Sequence, residues 1–363
     1  MSILVSTLGR YLTWRFFKTI AAVFAAIVGT IYVFDFVELL RRSNSLHGVT
    51  PGYIAYLTLL RTPTVAEQIL PFCVLFGTMA AFIDLTRKLE LIVARSAGVS
   101  VWQFLLPPVA IAVVVGTFSV VAFNPLSAMM KQRADIIEAQ LFGRAGTVQG
   151  DGTLWIRQSG IDGEAILRAA NALDQGTKLQ SVIAYVYEPD GKFGERVEAA
   201  TATLEPGVWA LQNAVISAPG QDPRKVGVYL LATNASPTDL AESFLTPDSV
   251  PFWALPRMRD ESALAGLDPN GLNLQFQTLL ARPLMLVAMV LIAGAFSLRF
   301  FRFGGIGKMV GGGVAAGFVL YLVTKVVSDF GEAGILSASV AAWSPAIVGS
   351  MLGGLALLNQ EDG

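Results

Sequence analysis

Long uncharged runs constrain this chain more than any other feature. Residues 19–34, 68–83, 96–130, 283–298, 309–324 and 333–360 contain no Asp, Glu, Lys or Arg. A helix needs about 20 mostly apolar residues to cross a bilayer. Each run reaches that length with one charge tolerated near an end, where long side chains snorkel. Three runs precede and three follow a polar block, residues 131–282, which holds 31 of the chain's 26 basic and 27 acidic residues. The pattern predicts an α-helical membrane protein with six transmembrane helices and a water-exposed domain inserted between two matching halves. Residues 1–130 form the first half, 131–256 the inserted domain, and 257–363 a linker helix and the second half.

The spans are expected near 14–40, 63–85, 101–124, 276–298, 308–330 and 335–357, with Pro63 in the first turn of span 2 and Pro71 at a kink. Pro125 is expected to end span 3. The apolar run that follows Arg10, Arg15 and Lys18 continues to Phe34, too far for a cleaved signal core, so the first span is expected to remain. Basic residues set the orientation. Arg10, Arg15, Lys18, Arg87, Lys88, Arg95, Arg299, Arg302 and Lys308 fall on one side, and only Arg41, Arg42, Arg61 and Lys325 on the other. Both termini are therefore expected in the cytoplasm and the inserted domain outside, which in a Gram-negative cell is the periplasm.

Inside the polar block, residues 153–158, 164–170, 181–188, 196–204, 208–217 and 226–231 alternate at period two. Turn formers such as Pro189-Asp190-Gly191 and Glu205-Pro206-Gly207 separate them. An all-β, jelly-roll-like domain or sandwich follows. Trp155, Ile156, Ile183, Tyr185, Val186 and Trp209 are candidates for its interior, whether that interior is an open channel or a closed core. A short charged helix is expected at 257–266, then a turn at Asp268-Pro269-Asn270-Gly271.

Composition excludes several functions. The net charge of −1 argues against nucleic acid as a partner. His47 is the only histidine and Cys73 the only cysteine, so no histidine triad, histidine zinc site or intrachain disulfide is expected. No cofactor or metal is expected. Gly304–Lys308 lacks the phosphate-loop pattern, which requires Gly where Arg302 stands and Ser or Thr where Met309 stands. Energy for any pumping would come from a separate protein. Gly313 and Gly317, a GxxxG pair, serve either internal helix packing or a moving interface with a partner.

Two segments carry the candidate sites. Between spans 2 and 3, Leu89, Ile92 and Val93 share a helical face, while Arg87, Lys88, Glu90 and Arg95 point away and Leu91 falls on the wrong side. With Gly98 as a stop, residues 87–98 form a short amphipathic helix. It either lies on lipid or docks as a coupling helix in a groove of a cytoplasmic ATPase, with Glu90 and Arg95 as charged contacts. An acidic residue gains nothing from anionic lipid, which favours docking. At the other side, Arg41 and Arg42 end span 1 against the charge rule. Either they pair locally with Glu38, or they capture phosphate at the membrane rim, joined at similar height by Lys131 and Arg133.

These residues in this order resemble the LptF/LptG family of lipopolysaccharide-export ABC permeases, and within it the LptG type. The likeness covers essentially the whole chain. It is carried by Arg10-Tyr11, Phe36-Val37-Glu38 with Arg41-Arg42, Ile69-Leu70-Pro71, and Leu89-Glu90-Leu91-Ile92 with Ser96-Ala97-Gly98-Val99-Ser100. Gly317-Phe318 with Tyr321, and Ala342-Trp343-Ser344-Pro345-Ala346, complete it. The resemblance implies a heterodimer with a sister permease on a cytoplasmic ABC ATPase dimer. Lipopolysaccharide would enter from the outer leaflet of the inner membrane and leave through the β-jelly-roll domain to a periplasmic bridge protein. Arg41 and Arg42 look like the family's phosphate contacts, although some members carry a basic residue where this chain has Asp35. Glu90 resembles the family's coupling-helix glutamate. The alternatives are a mechanotransmission-type ABC subunit, typically with four spans, and a membrane assembly or signalling protein that carries no lipid.

Overall fold

The computed structural model describes residues 7–43, 49–142, 154–160, 163–173, 177–187, 192–233, 247–264, 269–299 and 306–361. His47, Asp268, Gly304, Gly305 and the expected turn at 189–191 lie outside these residues, as do the side chains of Trp155 and Ile156. The chain forms two compact units: Met1–Lys131 with Pro247–Gly363, and Gln132–Thr246. The second unit ends short of the boundary expected at 256, because Phe252 stacks on Phe276 of the helical unit at 5.3 Å between ring centroids.

The helical unit contains α1 (Thr7–Ser43), α2 (Pro51–Arg87), α3 (Glu90–Ser96) and α4 (Val101–Phe118). A π turn, Ser119–Phe123, leads into α5 (Asn124–Phe142), which continues into the second unit. After that unit come α6 (Leu255–Leu264), α7 (Asn270–Arg299), α8 (Ile306–Glu332) and α9 (Ala338–Glu361). Among the described residues six helices, counting α4 through α5 as one, are long and apolar enough to cross a membrane. Span 2 begins well before Pro63. Thr50 Oγ1 accepts the Tyr53 N–H at 3.4 Å and Pro51 takes the first helical position, so the helix starts there and carries Pro63 inside it. Asn270 and Gly271, expected in a turn, open α7.

Pro125 does not end span 3. A proline lacks the N–H that would bond the carbonyl four residues back, here that of Val121. The π turn adjusts to this loss: the Asn124 N–H reaches back to the Ser119 carbonyl, and the Trp253 indole N–H donates to Val121 O at 3.2 Å. The helix therefore passes through the proline with its backbone bonded.

α7 packs against α2, α4, α8 and α9 at the centre of the unit. Fully buried Phe16, Phe82, Leu85, Leu105, Leu286, Met289 and Val290 belong to one continuous core. With no hydrophobic drive between helices in lipid, close approach at small residues holds them together. A Cβ on Gly116 would lie 2.6 Å from Pro283 Cα, and one on Gly77 would lie 2.6 Å from Ile20 Cα. Gly313 and Gly317 face Met79 and Leu75 of α2, so the GxxxG pair packs inside the chain. Gly116→Ile is expected to cost about 1–3 kcal/mol by overpacking and to lower the thermal midpoint in detergent. Gly311→Ala, where a Cβ meets nothing within 4 Å, should leave that midpoint unchanged.

The second unit holds the expected all-β domain. Strands β1 (Leu154–Gly160), β2 (Gly163–Leu173), β3 (Lys178–Tyr187), β4 (Phe193–Glu205), β5 (Val208–Ser217) and β6 (Arg224–Ala232) pair antiparallel in chain order as a six-stranded meander. The turn from β4 to β5 uses Gly207 at φ +81°, a left-handed conformation that glycine adopts without cost. One face is buried, lined by Ala165, Leu167, Ala184, Val197, Ala199, Ala202, Trp209 and Leu211. Val186 packs against this cluster and Trp209 is fully buried in it. Ile183 and Tyr185, expected inside, lie on the opposite face, because Val182 and Ala184 are the inward residues of β3. Both faces of β3 are apolar, and the interior admits the smaller side chains. Edge strands β1 and β6 meet at one end. Buried Gln158 on β1 accepts the Trp209 indole N–H at 2.9 Å and the hydroxyl of Thr233, just after β6, at 2.7 Å.

Candidate functional site

The connection between α2 and α4 is a built structure. α2 stops at Arg87, and Leu89 takes a left-handed conformation, φ 61°, which a bulky residue seldom adopts. α3 then begins at Glu90, and Gly98 at φ 84° ends the segment. Ser100 opens α4 with a reciprocal capping box to Gln103. The helix starts afresh after Leu89, so it is shorter than the continuous 87–98 expected, but its faces divide as read. Leu91 is the buried residue, at 1% exposure, while Leu89, Ile92 and Val93 stand out at 59%, 41% and 64%. The apolar face read from the sequence exists and points outward.

The charges on this segment have also been assigned partners that periodicity did not reveal. Glu90 accepts hydrogen bonds from the Tyr11 hydroxyl at 3.0 Å and from Arg15 Nη1 at 3.2 Å. Arg15 also bonds Asp84 and the Tyr11 hydroxyl, and Lys88 lies 3.3 Å from Asp84. Glu90 thus fastens α3 to the first turns of α1. Arg95, partly exposed, has no carboxylate partner among the described residues.

At the far end of α1, Arg41 and Arg42 both bond Glu38, each at 2.9 Å. The local pairing expected from the spacing is present, with two guanidinium groups sharing one carboxylate. Asp35 is matched by Arg61 at 3.7 Å. Lys131 does not join the arginines: it pairs with Asp248 at 3.3 Å. Arg133 is exposed. Between its charged ends α1 presents an open apolar wall, with Val33, Phe34 and Val37 exposed and only 6% of its most apolar window buried. α8 has a similar face, with Phe318, Val319, Leu322, Val326 and Phe330 exposed.

A third cluster was not singled out from the sequence. Glu67 of α2 and Arg282 of α7 form an ion pair at 3.1 Å inside the helical unit, with side chains only 6% and 14% exposed. Arg282 also donates to Ser119 Oγ at 3.3 Å, and Asn124 Nδ2 donates to the second Glu67 oxygen at 3.2 Å. A signal was present: Glu67 and Arg282 each stand immediately before an uncharged run, at the same depth of two spans that cross in the same direction.

These features define the class of protein: a multi-pass α-helical membrane protein whose two three-span halves flank an inserted β-domain. Residues 10–359 match the family model for the lipopolysaccharide export system permease LptF/LptG, and the chain belongs to that family. It is 24% identical over 361 residues to the lipopolysaccharide export system permease protein LptG of Haemophilus influenzae, covering 96% of this chain and 95% of that one. To the LptG protein of Escherichia coli K12 it is 23% identical over 334 residues, covering 88% of this chain and 89% of the relative.

Proposed function

We propose that this chain is the permease subunit of an ABC transporter that extracts lipopolysaccharide from the inner membrane and passes it toward the outer membrane. The observation that carries this reading is the open apolar wall of α1 ending at Arg41 and Arg42. Lipid A joins acyl chains to phosphorylated sugars, so its binding surface needs an apolar wall beneath a basic rim. Arginine matches phosphate with two parallel charge-assisted bonds. The open faces of α1 and α8 also offer surface for a sister permease. The names of both relatives support the same cargo. Six spans agree poorly with the mechanotransmission alternative, typically of four.

In this reading the subunit is not itself an enzyme. ATP hydrolysis belongs to a cytoplasmic ATPase dimer that receives the outward face of α3, with Arg95 beside it and Gly98 ending the docking segment. The termini lie in the cytoplasm and the β-domain in the periplasm, following the bias of basic residues. Lipid leaves through the β-domain to a bridge protein, and Lys131 and Arg133 lie on the helix that leads into it.

The test is photocrosslinking to lipopolysaccharide in membranes that hold the assembled complex. Arg41→Glu with Arg42→Glu should reduce crosslinking about tenfold or more, the loss of roughly one charge-assisted contact, while assembly persists. Glu38→Gln should raise it, because the carboxylate that competes with phosphate is gone. Unchanged crosslinking in the double variant removes the phosphate role, and absence of an ATPase from the purified complex removes the transporter reading.

A further inference from the structure

We propose that Glu67, Arg282 and Asn124 form a rigid joint that passes movement of α2 to both chain segments connecting the β-domain, making them positioning residues for export. This rests on the reading that an ATPase docks at α3. An ion pair in a lipid-embedded unit is an expensive way to hold helices together, and well-packed apolar side chains hold them as well or better. What such a pair adds is register: a small slip orphans both charges. Here the pair sits where four elements converge. Glu67 is on α2, whose far end carries α3. Arg282 is on α7, at the centre of the helical unit, and bonds Ser119 in the π turn.

Asn124 extends the joint to the β-domain's connections. Its Nδ2 donates to Glu67 at 3.2 Å, and its Oδ1 accepts the Phe252 backbone N–H at 2.9 Å. α5, which Asn124 begins, leads into the β-domain, and Phe252 lies on the segment that returns from it. One side chain therefore holds the outgoing and the returning chain against the same carboxylate. Neighbouring contacts reinforce both. Trp253 bonds Val121 O at 3.2 Å, Lys131 pairs with Asp248 at 3.3 Å, and the hydroxyls of Thr64 on α2 and Ser127 on α5 are 3.2 Å apart. Displacement of α2 at its α3 end would carry α5 and the returning segment with it.

The test uses the whole complex, with its ATPase and sister permease, in proteoliposomes containing purified lipopolysaccharide. Two quantities are read: ATP hydrolysis and lipopolysaccharide released per ATP. Asn124→Leu cuts both contacts that Asn124 makes, to Glu67 and to the Phe252 N–H. Hydrolysis is expected to stay within about twofold while release per ATP falls about tenfold. Unchanged release per ATP overturns the proposal. A second variant does not depend on that one folding: Thr64→Cys with Ser127→Cys, in a Cys73→Ala background, places two thiols within reach of a disulfide across the joint. If α2 and α5 move as one body, oxidised and reduced complexes release lipid equally, and a block on oxidation overturns the proposal. Failure of the unsubstituted complex to release lipopolysaccharide with ATP would instead count against the transport reading.

Discussion

In the proposed transporter, replacing Ile92 and Val93 together by glutamate should leave the chain folded and remove the ATPase docked at α3. Both side chains are exposed, so a carboxylate at either position leaves the buried contact of α3 through Leu91 in place. Leu91, between Glu90 and these two, is the residue that holds α3 to the core. Leu89 adds to the outward patch while held in a left-handed backbone, a strain that function often explains better than stability. If the patch is the centre of an interface, each glutamate buries an unpaired charge there. Central apolar contacts of this kind are worth about 2 kcal/mol or more each, so the pair of changes should abolish co-purification of the ATPase. Leu91→Ala gives the contrasting result: a cavity costing about 2–5 kcal/mol, seen as lower thermal stability of the subunit. Full ATPase retention by the double glutamate variant would show that the helix rests on lipid instead.

The second large effect belongs to the β-domain. Trp209→Ala should unfold it within an otherwise intact membrane protein. Trp209 is fully buried among small residues and anchors Gln158 through its indole N–H. Its removal costs about 3–5 kcal/mol, a large share of the roughly 5–15 kcal/mol that stabilises a typical domain. It also weakens the point where edge strands β1 and β6 meet. The full-length variant should lose its trypsin-resistant β-domain fragment. Trp209→Phe keeps most of the bulk and loses one hydrogen bond, about 1 kcal/mol, so the fragment should survive. Equal resistance of the two variants contradicts this account of the interior.

Much of the architecture was legible without coordinates, and for definable reasons. Uncharged runs report spans because the cost of a charge in lipid applies residue by residue. Period-two alternation reports strands because successive side chains point to opposite faces. All six expected strands are present. What failed was the sidedness of one strand and the position of backbone breaks. In β3 both faces are apolar, so Ile183 and Tyr185 looked as suitable for the interior as Val182 and Ala184. In the 87–98 segment the outward apolar face was legible, but the left-handed break at Leu89, which confines the helix to Glu90–Ser96, was not. Pro63 and Pro125 looked like helix ends because proline removes a hydrogen bond. An early cap at Thr50 moved the first boundary, and a π turn with an indole donor repaired the second.

The charge pairs divide the same way. Arg41 and Arg42 with Glu38 follow from spacing on one helix, which sequence displays directly. Glu90 with Tyr11 and Arg15, and Glu67 with Arg282 and Asn124, join residues far apart in the chain. Those partners exist only once α1, α2 and α7 are packed. The sequence by itself determined six spans, the inserted β-domain and the candidate rim, because hydropathy, alternation and near-neighbour spacing are local properties. The tertiary structure alone decided where α3 begins and which buried charges meet. Both depend on backbone breaks and helix neighbours that no local window contains.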